Sequence, residues 1–181
     1  MKPFIQTATG RLFDFSAPRA EDVNIADIAH ALALNCRYNG HTHYDSLPVL
    51  YSVGEHACHV HDLVSPPARK HALLHDATEA YMPDVSAPLK AYLRSIGCTV
   101  IDELEANIWG VIVEAFDIEL YDAEVHEVDK RLIGDEAIDL MHPVHDDWFL
   151  PLGYGIDVTD PWPPKRTVWE FMHRWEKLCD H

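Results

Sequence analysis

Basic residues are scarce in this chain: 14 Lys and Arg stand against 30 Asp and Glu, giving a formal net charge of −16 over 181 residues with the histidines neutral. That balance excludes a general nucleic-acid binder, which must neutralise phosphates with many cations. An anionic ligand of any other kind would have to be met by a metal ion or a few local cations. Cysteine is also sparse. Cys36, Cys58, Cys98 and Cys179 are scattered, with no Cys-x-x-Cys. This excludes a zinc ribbon and a disulfide framework, and leaves buried free thiols as the plain reading. No apolar run approaches the roughly 20 residues needed to cross a bilayer. The opening Met1-Lys2-Pro3-Phe4-Ile5-Gln6 has no signal-peptide core. The expectation is a cytoplasmic protein with no membrane partner.

What is present is the composition of a folded domain, 48% apolar and 24% charged, long enough to bury a full core as a single unit over residues 1–181. Residues 4–15 hold β-formers on both sides of Thr9-Gly10, compatible with a short N-terminal hairpin. From there on the periodicity is helical, and the fold class is read as all-α. Ile25, Ile28, Ala29, Leu32 and Cys36 follow an N-cap at Asn24. Ser52 caps a helix striped by Val53, Ala57, Val60 and Val64, which Pro66-Pro67 ends. The next helix is expected to carry His75 and Asp76. Further helices are read at about 86–96, 100–117, 122–141 and 165–179, with ends uncertain by ~2–4 residues. Between the first two helices, residues 37–51 are polar, aromatic and broken by Gly and Pro, a long loop of the kind in which ligand groups gather. Residues 142–164 read as a surface excursion before the last helix.

Within this frame, Ala68 to Tyr81 places His75, Asp76 and Glu79 in an apolar, helix-forming run. A buried imidazole beside a carboxylate is costly unless something pairs with both, and a divalent metal does so. His56 lies beside Val60 on its helix, and Asp129 sits on the stripe made by Val125, Val128 and Leu132. Helix packing could bring His56, His75, Asp76 and Asp129 to one point. Glu79, four residues after His75, falls on the same helical face and is placed to act beside the metal. Two further His-Asp pairs, His61-Asp62 and His145-Asp146, read as solvated surface pairs. His-Glu-x-x-His, the Gly-x-x-x-x-Gly-Lys phosphate loop and the Gly-x-Ser-x-Gly elbow are all missing. That favours a metal-activated water over a nucleophilic side chain.

The ordered set Glu55-His56, His75-Asp76-Ala77-Thr78-Glu79, Asp84 and Asp129 resembles the HD-domain phosphohydrolase superfamily. It looks most like the small branch of bacterial 5′-deoxynucleotidases, the oxetanocin-type phosphohydrolase and compact phage dATP triphosphohydrolases. Ser52-Val53-Gly54-Glu55-His56 is similar to the family's Ser-Val-Ala-Glu-His helix, with Gly54 in place of Ala. The run from His75 through Pro88-Leu89-Lys90 is similar to the branch's His-Asp-Ala-x-Glu to Pro-x-Lys block. The likeness covers roughly residues 24–140. It implies an HD-type helical bundle in which His56, His75, Asp76 and Asp129 hold one divalent ion. Co²⁺, Mn²⁺, Fe²⁺, Ni²⁺ and Zn²⁺ all suit two imidazoles and two carboxylates, and Mg²⁺ would accompany a triphosphate. It further implies Glu79 as the catalytic acid/base, with Asp84 close to the sugar or active-site water. Arg37 and Lys90 would contact phosphate, and Tyr38 stands where the deoxynucleotidases have Trp.

The function that follows is removal of the 5′-phosphate, or of triphosphate, from a deoxyribonucleotide, in a small-molecule enzyme that is a homo-oligomer by family likeness. Two alternatives stay open. One is a phosphodiesterase on cyclic or signalling nucleotides, although Asp102, Glu103, Glu105, Glu114 and Glu119 do not supply the extra histidines of two-metal relatives. The other is a non-catalytic module held together by its metal, against which Glu79 speaks, since a closed structural site has no use for it.

Overall fold

The computed structural model describes residues 2–179. Seven α-helices dominate it: α1 Ile25–Leu32, α2 Val53–Leu63, α3 Arg69–Leu74, α4 Ala87–Ser95, α5 Val100–Phe116, α6 Asp122–Leu140 and α7 Pro164–Cys179. Two short antiparallel strand pairs accompany them, β1 Phe4–Gln6 with β2 Leu12–Asp14, and β3 His43–Tyr44 with β4 Leu47–Pro48. The fold is therefore mainly α, as expected, and none of the described helices is long and apolar enough to cross a membrane.

Local chemistry accounts for the starts of the two helices that frame the site. The Asn24 side chain accepts from the Ala26 amide and Ser52 Oγ from the Glu55 amide, each satisfying a donor that the first helical turn leaves open. The N-terminal hairpin forms around Gly10, whose φ of +84° suits a residue without Cβ. It is pinned to α1 because Asp27 accepts from both the amide and the hydroxyl of Thr9 at 2.7 Å. Phe13 of β2 stacks on Tyr81 with ring centroids 4.1 Å apart, so the hairpin also buttresses the segment that follows α3. Gly54 has a packing reason as well. A Cβ there would lie 2.9 Å from Thr167 Cγ2 of α7 and 3.2 Å from the Ala33 nitrogen, so the smallest residue lets α2 seat between the end of α1 and α7.

The main core joins Ile28, Leu32, Ala57, Leu73, Leu74, Ile108, Ile112 and Phe171, and draws in the α7 stripe of Val168, Met172, Trp175 and Leu178. A second cluster, Val60, Val64, Ala72, Val125, Val128 and Leu132, glues α6 to α2 and α3. Tyr51, Leu140 and Val158 form a third.

The structure corrects several expectations. Helix α3 ends at Leu74, so His75 and Asp76 lie at its C-terminal break and not in its interior; Glu79 belongs to a separate 3₁₀ turn, Ala77–Ala80. The loop 37–51 contains a 3₁₀ turn at Arg37–Gly40 and the β3–β4 pair. The 142–164 segment is not wholly a surface excursion, because Val158 is buried against Tyr51 and Leu140. Of the four thiols read as buried, only Cys58 is, and Cys179 is exposed.

The His61-Asp62 pair is only half solvated, exposed at Asp62 and buried at His61. His61 is buried and its Nδ1 lies 2.8 Å from Asp62, whose two carboxylate oxygens accept from Arg174 of α7 at 3.0 and 2.6 Å. Burial works against the charge on Asp62, but His61 and Arg174 hold its carboxyl well below the usual carboxylate range. A lowered folded-state pKa adds stability above the unfolded value near 3.9, and that stability is lost as pH falls below it. Asp62→Asn should therefore cost up to about 1 kcal/mol at pH 7, the upper end for a half-exposed pair. In urea unfolding the gap to wild type should narrow steadily below pH ~4; a gap that widened there would overturn the assignment.

Candidate metal centre

Four elements converge on one point. Helix α2 contributes His56, the break after α3 contributes His75 and Asp76, and α6 contributes Asp129 and Glu136. The loop after α1 contributes Arg37 and Tyr38. One ligand atom each from His56, His75 and Asp129 lie within 4.8 Å of one another, close enough to hold a metal ion. Asp76 stands beside them, its Oδ2 3.2 Å from His75 Nε2 and 3.5 Å from the Arg37 guanidinium.

The hydrogen bonds behind the imidazoles say why this cluster suits a cation. His56 Nδ1 lies 2.6 Å from the Glu136 carboxylate, and His75 Nδ1 lies 2.7 Å from the Ala72 carbonyl. Both partners only accept, so both Nδ1 atoms carry the hydrogen and both Nε2 atoms face the cluster. There they meet carboxylates at 3.1 Å (Asp129) and 3.2 Å (Asp76), yet both buried Nε2 atoms lack a hydrogen-bond partner. Close approach without alignment means that an N–H proton would serve these oxygens poorly. A metal ion facing both nitrogens serves them well, and the arrangement behind the ligands is the one that orients metal-bound imidazoles. The residues present therefore fit a divalent ion with N and O donors.

The electrostatics carry the same demand for positive charge. Burial opposes a charge on His75, but Asp76 and Asp129 outweigh it and push the imidazole up to about 9. Asp129, despite burial, is held down to about 2, chiefly by His56. Metal binding here would displace a proton.

Glu136 was not among the residues expected from the sequence. It is fully buried and accepts from His56, Arg37 Nε (3.1 Å), Tyr51 (2.9 Å) and the Tyr38 hydroxyl. A signal for it exists: with Leu132 and Leu140 four residues to either side, it lies on the buried stripe of α6, seven residues after Asp129.

Arg37 is brought to the centre as expected. Its guanidinium spans Glu136, Asp76 (3.5 Å) and Asp129 (3.9 Å), which keep it charged against the cost of burial. Tyr38 holds a left-handed backbone, φ 55°, uncommon and strained for an aromatic residue, and its hydroxyl is tied to Glu136. Glu79 is also in place. Its Oε2 is buried without a partner, and burial, followed by Asp76 and Asp84, pushes its carboxyl up to about 9.

Glu79 lies where two clefts meet. One, of about 810 Å³, is lined by Arg37, Tyr38, Asp84, Pro88, Met141 and Trp148 among others. Asp84 there has its carboxyl raised, by burial and then by Asp76, with Lys90 opposing. The second cleft, of about 460 Å³, is polar and holds His71, His75, Asp76, Lys90 and Arg94. Lys90 is thus beside the centre, but its Nζ is engaged by Glu105 at 2.5 Å, and Arg94 is engaged by both oxygens of Asp102 at 2.7 Å.

No family model matches the chain. Over 98% of its length it is 33% identical to the uncharacterized protein YfdR of Escherichia coli K12, covering 96% of that protein. Over 107 residues, 55% of its length, it is 36% identical to the uncharacterized protein RCAP_rcc00048 of Rhodobacter capsulatus, covering 53% of it.

Glu136→Gln should weaken Mn²⁺ or Zn²⁺ binding about 10- to 100-fold, the usual cost of losing the group that orients a ligating imidazole. Titration calorimetry measures this directly. Unchanged affinity in a folded variant would mean that Glu136 does not hold His56 for a metal.

Proposed function

For this chain, which belongs to the family of YfdR, we propose metal-dependent hydrolysis of the 5′-phosphate ester of deoxyribonucleotides in an HD-type site. The observation that carries the reading is the pair of buried, unpartnered Nε2 atoms of His56 and His75 facing carboxylates, with the Arg37 guanidinium and the Glu79 carboxyl alongside. His56, His75, Asp76 and Asp129 would hold the ion, of the Mn²⁺, Fe²⁺, Co²⁺, Ni²⁺ or Zn²⁺ type. When bound, such an ion lowers the pKa of water towards ~7 and polarises a phosphoryl oxygen.

The chain's own residues supply the rest. Arg37 presents a planar fork to two phosphoryl oxygens, and binding a phosphate there exchanges its long contacts to Asp76 and Asp129 for charge-assisted hydrogen bonds. Glu79 retains a proton at neutral pH in the metal-free site and can deliver it to the leaving 5′ oxygen; ionised beside a bound cation, the same carboxylate would instead take a proton from the attacking water. Asp84, in the larger cleft, would bond the deoxyribose or a water beside it.

A monophosphate is favoured over a triphosphate by the wall of the smaller cleft. Its two strong cations, Lys90 and Arg94, are each tied to a carboxylate, so a β,γ-diphosphate extending that way would find no free positive charge. The chain's own acidity, −16, makes such an extension less favourable still. This reading makes Lys90 a wall residue engaged by Glu105 and leaves Arg37 as the principal phosphate contact. Assembly as a homo-oligomer, which rests on the family likeness, and residence in the cytoplasm, which rests on the composition, belong to the same proposal.

Incubation with Mn²⁺ or Co²⁺ and each dNMP should release inorganic phosphate, while dNTPs should give little or no triphosphate. Glu79→Gln should lower the rate ~10²–10⁴-fold, the usual worth of a positioned acid/base. Turnover of no nucleotide with any of the five metals would sink the proposal, and release of triphosphate from dNTPs would sink its monophosphate form.

A further inference from the structure

The 142–164 segment is held at its middle, and the part upstream of that anchor borders the larger cleft. Arg131 of α6 donates to the carbonyls of Leu152 (3.0 Å) and Gly153 (3.2 Å), and its guanidinium lies 3.9 Å from the centre of the Tyr154 ring. The Asp135 carboxylate accepts from the amides of Tyr154 and Gly155 at 2.8 and 3.0 Å. Gly134 and Gly153 let these two stretches touch: a Cβ on Gly134 would fall 2.3 Å from the Pro151 carbonyl oxygen. These contacts fix the segment to the helix that carries Asp129 and Glu136.

Before that anchor, a turn closed by the Trp148 amide donating to the His145 carbonyl (2.9 Å) presents Trp148 to the cleft. Its ring meets that of Tyr38 edge to face at 6.1 Å, and it is 37% exposed although large and apolar. Tyr38 is itself immobilised through Glu136, so the aromatic pair is referenced to the metal ligands. The cleft runs from Glu79, Arg37 and Asp84 out to Trp148, and its volume falls in the range of small-molecule sites. A phosphate at Arg37 would direct the remainder of a nucleotide along this path.

We propose that Trp148 is a substrate-binding residue that stacks on the nucleobase, with Tyr38 as the second aromatic wall. This assignment rests on the nucleotide reading of the site. A partly exposed aromatic ring beside an apolar cleft can bind any base by its π face, which makes the contact tolerant of base identity. The residue is far from the reacting phosphate in function: it sets affinity for the nucleoside half and leaves bond cleavage to Arg37, Glu79 and the metal ligands.

Titration calorimetry on the Mn²⁺-loaded wild type, Trp148→Ala and Trp148→Phe tests this, with a non-hydrolysable dNMP phosphonate and a base-free 2-deoxyribose 5-phosphonate as the two probes. Wild type should bind the nucleotide probe at least about fivefold more tightly than the base-free one, the low end of aromatic stacking on a base. Trp148→Ala should lose most of that preference while holding the base-free probe as before, and Trp148→Phe should keep it within about threefold. The proposal is overturned if wild type shows no preference, if Trp148→Ala keeps the preference in full, or if it weakens both probes equally. Parallel hydrolysis assays separate the two readings: a preference that depends on Trp148 without any turnover would sink the phosphohydrolase and leave the stacking role standing.

Discussion

A single carboxylate with no exposure to solvent, that of Glu136, organises the centre of this molecule. Removing an ion from water costs several kcal/mol unless other groups replace the solvent. Here four donors do so, from His56 on α2, from Arg37 and Tyr38 after α1, and from Tyr51 at the end of the long loop. Burial opposes the charge, but Arg37 and then His56 hold the carboxyl down to about 2. The charge is thus kept only if α6 lies against α2 with the 37–51 loop closed over both. The apolar clusters on either side, Val60–Val128–Leu132 and Tyr51–Leu140–Val158, bury the same junction, so packing and electrostatics select one arrangement. Orientation of His56, retention of Arg37 and locking of Tyr38 are consequences of satisfying that one buried charge.

The acidity of the chain then bears directly on chemistry. Asp76, Asp129, Glu136, Glu79 and Asp84 crowd a site in which, among the described residues, Arg37 is the strong cation that touches the cluster. Left to itself the cluster raises His75 and Glu79 and gathers protons. A divalent ion would relieve the same excess of negative charge and, on the proposed reading, turn a surface that repels phosphate into a local attractor. The phosphate affinity of such a site would depend on its metal to an unusual degree, because few other cations are free to help.

Features that depend on neighbours in the chain were legible in the sequence. Asn24 and Ser52 cap helices through amides two or three residues away, and the apolar stripes of α2, α6 and α7 repeat at the helical period. Features decided by distant partners were not. Residues 69–81 favour helix throughout, yet the chain breaks at His75, where Nδ1 folds back to the Ala72 carbonyl and Tyr81 is drawn to Phe13 of β2. The ion pair of Asp62 was hidden because its partner, Arg174, lies 112 positions away. Glu136 was hidden by its company in Gly134-Asp135-Glu136, an acidic run that resembles a solvated face, although each of its two acids is buried for its own partners.

Thirteen histidines offered many ways to misplace a metal site, and what distinguishes them is the partner behind each ring. His71 makes the point by contrast. It sits one helical turn before His75 on α3 and borders the same polar cleft, so by position it competes for ligand duty. Its Nδ1, however, accepts from the Tyr121 amide at 2.9 Å. Burial, with a smaller contribution from His75, lowers its pKa and favours the neutral ring, and a neutral ring that accepts at Nδ1 must carry its hydrogen on Nε2. His71 therefore shows the cleft a donor, where His56 and His75 turn Nε2 atoms toward the carboxylates, His75 giving up its proton there when a cation binds. At this cleft the carboxylate behind His56 and the carbonyl behind His75 leave Nε2 for a ligand, and the amide behind His71 leaves its Nε2 a donor. A histidine on α3 and one at the break that ends it are thus set to different roles by atoms that the spacing of residues does not reveal.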